Sequence, residues 1–263
     1  MIKIGFIGVG NMGAALARAA SKHNGALLLI CDSNVQLAER VADELGGRVS
    51  TLSSIARDAD FIFLGVKPNV IPSVVAELNS AKLNSACTIV SMAAGVELSA
   101  IEGGFSYAVP VIRIMPNMPV AVGQGMVLWC ANSLGAERAD ELISVMSAAG
   151  TFDKIPEQLI DAASAVSGCG PAFAFMFIEA LADGGVKCGL SRAKAQLYAA
   201  EMLRGSAAML LASDKHPGAL KDAVCSPGGS TIAGVKALED CAFRSACASA
   251  IEAAFKRTQE LGK

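Results

Sequence analysis

The sequence predicts an α/β domain with a mostly parallel sheet, followed by an all-helical domain. Three observations support this fold class: a glycine-rich turn between an apolar strand and an alanine-rich helix, short apolar runs that alternate with helical patterns, and helical patterns alone further on. The alternation stops near Pro156. We therefore expect two domains, residues 1–155 and 156–263.

The first predicted strand, Ile2–Ile7, runs directly into a turn with three spaced glycines. Gly8, Gly10 and Gly13 have the spacing G-x-G-x-x-G. In this arrangement the first glycine permits a tight turn, the second lets backbone approach a pyrophosphate, and the third lets the helix pack closely on the strand. The helix predicted from about Asn11 to His23 would present its N-terminal amides to the phosphates.

Asp32 follows the second predicted strand, Ala26–Cys31, and lies 19 residues after Gly13. An acid that binds ribose hydroxyls is expected there in a Rossmann-type dinucleotide-binding fold. Strand, glycine turn, helix and acid together predict a nicotinamide or flavin dinucleotide as ligand. A glycine turn without a ligand is the alternative.

The alternation continues through the predicted sheet, and each later strand ends in a turn of small residues or proline. The further predicted helices are Val35–Leu45, Ser53–Asp60, Val70–Leu78 and Glu137–Ala149, and the further strands lie near Val49 and at Phe61–Val66, Thr88–Met92, Val109–Ile114, Gln124–Ala131 and Thr151–Ile155. Ligands of open α/β sheets lie at the carboxyl ends of the strands. Several such turns at one edge favour a binding crevice, although every strand needs a turn. The residues that we expect at the dinucleotide are Gly8, Val9, Gly10, Asn11, Met12, Gly13, Asp32, Ser33, Asn34, Val66, Lys67, Pro68, Ala93, Ala94, Gly95, Met115, Pro116 and Asn117.

Composition limits the class of partner. Hydrophobic residues make up 53% of the chain and charged residues 17%, with a formal net charge of −2, so no nucleic acid partner is expected. The apolar runs look too short or too interrupted for a membrane span; Pro171–Ala182, for example, contains Glu179. The high apolar content is better explained by an interface in a homo-oligomer.

The cysteines and histidines favour a cytoplasmic enzyme without a metal. The eight cysteines form no C-x-x-C pair and lie in or beside apolar runs, which is typical of reduced core thiols. The chain enters a strand directly, with no pattern of a secretory signal. With His23 and His216 as the only histidines, no metal cluster is expected.

Two stretches of the helical domain do not resemble plain helix. Ser167–Pro171 places two glycines and a proline in a strongly apolar helix. His216–Thr231 ends in Ser-Pro-Gly-Gly-Ser-Thr before another helix, and a glycine turn at a helix N-terminus is an anion site. The simpler interpretation is a helix capped by Ser226 or Ser230 beside flexible glycines.

These motifs together resemble the pyrroline-5-carboxylate reductase family over nearly the whole chain. The motifs are the first glycine turn, Val66–Pro68, Ala93–Val96, Arg113–Pro119, Ser167–Pro171 with the following Ala-Phe-Ala-Phe, and His216–Thr231. The last motif is the most specific, because unrelated enzymes share the glycine spacing. The resemblance implies hydride transfer from NAD(P)H to the C=N carbon of a cyclic imino acid, the last step of proline synthesis. An imine needs less acid catalysis than a ketone, since its nitrogen can arrive protonated.

The resemblance also implies roles for individual residues. The Thr231 hydroxyl would bond the ring nitrogen as the catalytic contact, and Ser230 with the amides of Gly228 and Gly229 would hold the carboxylate. The full expected substrate set is Glu157, Ser167, Gly168, Gly170, Ser226, Gly228, Gly229, Ser230 and Thr231. Two positions depart from the family pattern: Ala223 stands where Asn is frequent, and Met118 stands where Thr is usual. The family further implies interlocked dimers, which can stack into decamers, and NADPH as the preferred cofactor with NADH tolerated.

Two other functions fit part of the pattern. A β-hydroxyacid dehydrogenase shares the glycine turn and a helical second domain, but it needs a lysine proton donor on the central helix, and this chain has none between Lys154 and Lys187. A non-catalytic dinucleotide sensor would not need the loop Ser226–Thr231.

The residues after the second strand leave the choice between NADH and NADPH open. Asp32 by itself favours NADH, whereas Ser33 and Asn34 can donate to a 2′-phosphate.

Overall fold

The computed structural model describes residues 1–261, and it begins with the predicted alternation of strands and helices. The strands are β1 (Ile2–Ile7), β2 (Ala26–Cys31), β3 (Arg48–Val49), β4 (Phe61–Leu64), β5 (Thr88–Ser91), β6 (Val111–Met115), β7 (Gly125–Ala131) and β8 (Gly150–Lys154). The helices up to β8 are α1 (Asn11–Ala20), α2 (Val35–Leu45), α3 (Leu52–Asp58), α4 (Ile71–Ser80), α5 (Leu98–Glu102), α6 (Ser133–Ala136) and α7 (Ala139–Val145). The helices after it are α8 (Ile160–Ser167), α9 (Gly170–Lys187), α10 (Arg192–Leu211), α11 (Pro217–Val224), α12 (Ser230–Asp240) and α13 (Phe243–Leu261).

The strands form one sheet in the order β3-β2-β1-β4-β5-β6-β7-β8. Neighbouring strands are parallel except β6 and β7, which are antiparallel. The first six strands have the doubly wound order 3-2-1-4-5-6, in which the chain changes direction between β1 and β4. The predicted fold class, a mostly parallel Rossmann-type sheet followed by helices, is therefore confirmed.

Both faces of the sheet are buried, which explains the unbroken apolar runs of its central strands. Phe6 and Phe63 stack with ring centroids 4.6 Å apart on the face covered by α1, α2 and α7. Ile62 and Leu64 point to the opposite face, which α3, α4 and α5 cover. A strand buried on both sides loses the polar alternation of a half-exposed strand.

Several helix ends differ from the sequence-based expectation. Helix α1 ends at Ala20, three residues before the expected end at His23. The helix expected over Glu137–Ala149 is present but shorter, because α7 covers Ala139–Val145 and a 3-10 turn follows at Ser147–Ala149. A separate short helix, α6, lies before it. The Asn132 side chain accepts the Gly135 N–H and starts α6 earlier than periodicity indicates.

Helices follow β8 throughout the described residues. The strongly apolar helix predicted around Ser167–Pro171 breaks at Gly168 and Cys169, between α8 and α9, as its glycines and proline predict. Two compact units divide here, Met1–Cys169 with the residues from Ala254 on, and Gly170–Ala253. The domain boundary near residue 156 stays a prediction, and the last two residues of that predicted domain, 262 and 263, lie outside the described residues.

The helices of Gly170–Ala253 expose a large apolar surface in this single chain. Exposed side chains include Phe175, Met176, Leu197, Tyr198, Met202, Met209, Leu211 and Val224. The helical segment Glu157–Lys187 is long and apolar enough to cross a membrane by length and composition alone, and little of it is buried. Helices that pack inside proteins can meet the same two criteria, so the expectation of no membrane stays a prediction.

The cysteines are all free, but not all of them are core thiols. Cys87 and Cys130 are buried, as expected, and burial raises the pKa of the Cys87 thiol to about 12. Cys188, Cys241 and Cys247 are exposed in this chain, so the expectation of a buried thiol is wrong for these three. Apolar neighbours in sequence do not guarantee burial on a helix that exposes much of its surface.

Candidate functional site

The glycine turn after β1 is shaped by close contacts between backbones. Gly8 has φ +91°, a left-handed conformation that side chains rarely adopt. A Cβ on Gly13 would lie 2.2 Å from the Gly8 carbonyl oxygen, and one on Gly65, just after β4, would lie 2.3 Å from the same atom. These three glycines let β1, β4 and α1 approach one another at the point where the strand order reverses.

Gly10 differs from the other glycines of the turn because it faces open space. A Cβ built there would meet nothing within 4 Å. Gly10 is the N-cap of α1, and no side chain in the described part of the chain caps this helix, so the first amides of α1 have no side-chain acceptor there. Free amides at the positive end of a helix, behind a glycine without steric cover, fit a pyrophosphate.

Asp32 lies at the neighbouring strand end, but its carboxylate is already engaged. Its Oδ2 accepts the Val9 N–H at 2.8 Å, and its Oδ1 accepts the Asn34 N–H at 2.9 Å. The side chain thus ties the glycine turn to the turn after β2. Ser33 and Asn34 are exposed beside it, and Asn34 Oδ1 accepts the Leu37 N–H at 3.1 Å as the cap of α2.

The other predicted cofactor residues lie at the carboxyl ends of β4, β5 and β6. Val66, Lys67 and Pro68 follow β4; the other two turns are Ala93–Gly95 after β5 and Met115–Asn117 after β6. A cavity of about 670 Å³ lies beside Pro68 and Gly95, and Ile71, Val75, Val96 and Glu97 also line it. The structure therefore brings all the predicted cofactor residues to one edge of one sheet, and their contact with a cofactor stays a prediction.

Asn117 connects this edge to the segment that carries two predicted substrate residues. Its side chain is buried, and its Nδ2 donates to the Ser167 carbonyl at 2.9 Å while its Oδ1 accepts the Met126 N–H at 2.9 Å. The Ser167 hydroxyl donates to the Ala163 carbonyl within α8. Gly168 follows, and a Cβ there would lie 2.8 Å from Ser164. The end of α8 is thus held next to the turn after β6.

A buried arginine lies in β6, shortly before the turn Met115–Asn117. Arg113 in β6 is 2% exposed, and its Nη1 lies 3.1 Å from Glu157 Oε1 while its Nη2 lies 3.3 Å from Asp161 Oδ1. The same Glu157 oxygen accepts the Leu98 N–H at 2.7 Å. Sequence reasoning predicted Glu157 on the substrate side and assigned no role to Arg113 or Asp161. An arginine inside the apolar strand Val111–Met115 was the available signal.

Cys130 adds no negative charge to this cluster. It lies opposite Arg113 on the antiparallel strand β7. Burial, and to a smaller extent the charge of Glu157, raise its pKa to about 11, against the opposing charge of Arg113. The thiol is therefore neutral at physiological pH, and the charge of Arg113 faces the two carboxylates alone.

The remaining predicted substrate residues belong to the unit Gly170–Ala253. Gly170 begins α9, and Ser226, Gly228 and Gly229 form the turn before α12. Gly228 has φ +68°, and the Gly229 N–H donates to the Ser226 carbonyl at 3.0 Å. Gly229 is the N-cap of α12, and no side chain of residues 1–261 caps this helix, so its first amides, including those of Ser230 and Thr231, have no side-chain acceptor there.

The loop is therefore suited to an anion. Ser230 and Thr231 are exposed, and their hydroxyls form no hydrogen bond within the described residues. The interpretation in which Ser226 or Ser230 caps α12 finds no support, because the N-cap is Gly229. Among residues 1–261, no group of three or more His, Cys, Asp and Glu side chains is placed to hold a metal ion.

Family models match two parts of the chain. A model described as pyrroline-5-carboxylate reductase dimerisation matches residues 157–261. A model described as NADP oxidoreductase, coenzyme F420-dependent, matches residues 3–95.

Curated relatives align over nearly the full chain. Pyrroline-5-carboxylate reductase 2 of Bos taurus is 40% identical over 269 residues, which cover 99% of this chain and 84% of the relative. Pyrroline-5-carboxylate reductase of Escherichia coli K12 is 38% identical over 267 residues, which cover 99% and 98%.

Solved structures agree in fold. Pyrroline carboxylate reductase of Plasmodium falciparum with NADP bound has a TM-score of 0.86 at 31% identity and covers 100% of this chain and 98% of its own. The Streptococcus pyogenes 1-pyrroline-5-carboxylate reductase has a TM-score of 0.88 at 31% identity, with 98% of both chains covered. A 3-hydroxyisobutyrate dehydrogenase of Mycobacterium tuberculosis reaches 0.52 at 15% identity over 73% of this chain and 67% of its own, a likeness of fold alone.

Proposed function

This chain belongs to the pyrroline-5-carboxylate reductase family, and we infer that it reduces the C=N bond of Δ1-pyrroline-5-carboxylate to give proline, the last step of proline synthesis. The observation that carries this inference is the joint presence of a dinucleotide edge on five neighbouring strand ends and the loop Ser226–Thr231, in a chain aligned end to end with reductases of this name.

The cofactor is NADP, whose reduced form NADPH would supply the hydride when bound. The open Gly10 and the uncapped N-terminus of α1 support binding of the pyrophosphate there. We further propose that NADPH is preferred and NADH tolerated. The engaged carboxylate of Asp32 supports this choice, because an acid bonded to the amides of Val9 and Asn34 is less free to accept ribose hydroxyls.

We propose that the loop before α12 holds the imino acid. The amides of Gly228 and Ser230 would bind the carboxylate, and the Thr231 hydroxyl would donate to or accept from the ring nitrogen. The Gly229 amide would join them by releasing the Ser226 carbonyl. Their exposure and the absence of a side-chain cap on α12 support these roles. Ser167, Gly168 and Gly170 would line the pocket, and Glu157 would contribute from the substrate side.

The proposed chemistry requires positioning more than acid catalysis. A cyclic imine can arrive protonated, so the chain needs to hold an iminium carbon against the cofactor and exclude water. Thr231 would keep the ring nitrogen in place while the negative carboxylate stays on the helix amides. This arrangement needs no lysine on α9 between Gly170 and Lys187, unlike the hydroxyacid dehydrogenase alternative.

The chain forms a homo-oligomer, as the dimerisation model over residues 157–261 supports. We propose a dimer in which the exposed apolar side chains of Gly170–Ala253 are buried against a second copy, so that both chains wall the active site. Stacking of dimers into a decamer and a cytoplasmic location complete the proposal.

The decisive experiment follows NADPH oxidation at 340 nm. Purified protein is given pyrroline-5-carboxylate in one series and a panel of short β-hydroxyacids with NADP in another. We expect rapid oxidation in the first series alone. Activity confined to the hydroxyacids would favour the dehydrogenase alternative, and NADPH binding without turnover in either series would favour a sensor.

A further inference from the structure

Arg113 and its two carboxylates connect three elements that the proposed site uses. Glu157 Oε1 accepts from Arg113 Nη1 and from the Leu98 amide at the start of α5, the helix that follows the turn Ala93–Gly95. Asp161, one helical turn after Glu157, receives the other terminal nitrogen of Arg113. One guanidinium in β6 therefore holds the beginning of α8 and, through Glu157, the beginning of α5.

The contacts of α8 extend this connection toward Ser167 and Gly168, which we propose line the substrate pocket. Helix α8 begins beside Glu157 and Asp161 and ends at Ser167, whose carbonyl accepts from Asn117. Both ends of this short helix are thus fixed to β6 or to the turn that follows it. Gly168 comes directly after this fixed end.

A contribution to folding stability alone does not explain why Arg113 is paired with two carboxylates. Arg113 is 2% exposed, and its Nε is buried without a hydrogen-bond partner in the described part of the chain. Removing charges from water is costly, and buried ion pairs are often no more stabilising than apolar residues of similar volume. The planar fork of arginine does, however, fix two carboxylates in direction as well as distance.

We propose that Arg113 is a positioning residue of the reductase. Through Glu157 it fixes the turn Ala93–Gly95 on the cofactor side, and through Asp161 and α8 it fixes Ser167–Gly168 on the substrate side. Arg113 itself touches neither ligand. This proposal rests on the proposed function, because it gives the two turns their roles.

The first test is Arg113→Met in the full-length protein. The variant removes the fork and leaves two half-buried carboxylates without their partner, so we expect a lower thermal midpoint. We also expect a higher Kd for NADPH, from quenching of Trp129 fluorescence or cofactor fluorescence, and a higher KM for pyrroline-5-carboxylate, each on the order of tenfold. The Kd and KM of Arg113→Lys should lie between those of the wild type and those of Arg113→Met, because a single ammonium reaches one carboxylate well but not both.

A charge-matched double variant separates positioning from stability. Arg113→Met with Asp161→Asn removes one positive and one negative charge and leaves Glu157 intact, so most of the lost thermal midpoint should return. If Arg113 positions the turns, Kd and KM stay raised in the double variant. If both constants return to wild-type values together with the thermal midpoint, Arg113 has only a structural role and the proposal is wrong.

Arg18→Met is the matched control. Arg18 also pairs with a carboxylate, Glu44, but this ion pair is exposed and joins α1 to α2. We expect neither constant to change by more than about twofold. A wild-type protein that binds NADPH but does not reduce the imine would overturn the proposed function, whereas a normal wild type with unchanged Kd and KM in Arg113→Met would overturn the positioning role.

Discussion

Asn34→Asp tests the NADPH preference most sharply, because it changes the chemistry of the turn after β2 and preserves its fold. Asn34 Oδ1 accepts the Leu37 N–H at 3.1 Å and caps α2. Within the described residues, no hydrogen bond uses its side-chain nitrogen, which leaves that donor available for a 2′-phosphate. Aspartate caps helices as well as asparagine does, so the variant should keep its thermal stability.

The expected magnitude follows from these contacts. The turn contains no arginine, so an amide or hydroxyl donor to the phosphate is worth on the order of 1–2 kcal/mol, and we predict a preference for NADPH of about tenfold in kcat/KM. In Asn34→Asp the donor is lost and a negative charge faces the phosphate. The efficiency with NADPH should fall about tenfold, and that with NADH should stay within about twofold.

The assay compares kcat/KM for both cofactors at saturating pyrroline-5-carboxylate. Asn34→Ala is the less useful variant, because losing the cap costs about 0.5–2 kcal/mol of stability in addition to the donor. Asn34→Ser keeps a cap and serves as control. A wild type that uses NADH equally well or better would show that Asp32 decides cofactor choice. An unchanged cofactor ratio in Asn34→Asp would remove Asn34 from the phosphate site.

Five further outcomes are expected. Thr231→Ala should lower turnover roughly tenfold to a hundredfold by removing a hydrogen bond to a charged group, with little change in NADPH affinity, and unchanged turnover would contradict its role. Gly10→Ala should fold normally, because its Cβ meets nothing within 4 Å, and lose NADPH affinity in a fluorescence titration. Gly13→Ala should instead lower the thermal midpoint, because its Cβ would lie 2.2 Å from the Gly8 carbonyl oxygen. The pKa of Cys87 is raised from 9.0 to about 12 in the folded chain, so only the unfolded thiol ionises in that range. The free energy of unfolding is therefore intact below pH 9 and should fall as the pH rises from 9 toward 12. The fall should be smaller in Cys87→Ala. Light scattering at micromolar concentration should give at least a dimer mass, and a monomer would contradict the assembly.

The sheet was predictable because its central strands lie between two buried layers. Phe61–Leu64 is apolar at every position, and alternate residues pack on opposite faces, so the run itself identifies an inner strand. The helix after Asn132 was less predictable. There a side-chain cap starts α6 ahead of the predicted helix, and a 3-10 turn replaces the end of that helix. Such local bonds leave little trace in the apolar pattern.

The candidate site was predictable in position but not in contacts. Spacing placed Asp32 at the end of β2, yet it could not indicate that the carboxylate accepts the Val9 amide from the neighbouring turn. Arg113 lies 44 residues from Glu157 and 48 from Asp161 in sequence. Bonds over such separations depend on how the sheet edge and α8 meet, which local patterns do not contain.

Strand β6 also explains why the last strand ends near Pro156 whereas the first compact unit ends later, at Cys169. Helical patterns begin after β8, close to Pro156, whereas the first compact unit continues to Cys169. Arg113 holds the start of α8 and Asn117 holds its end, so a helix that follows the last strand is bonded to the sheet before it. The apolar periodicity of the sequence shows where the strands end, whereas the contacts show which residues pack into one compact unit. The segment between the two limits is where the proposed positioning by Arg113 acts. Helix α8 is held at its start by β6 and at its end by the turn after β6, so it can transmit a change at Arg113 to Ser167 without any rearrangement of the cofactor turn after β1.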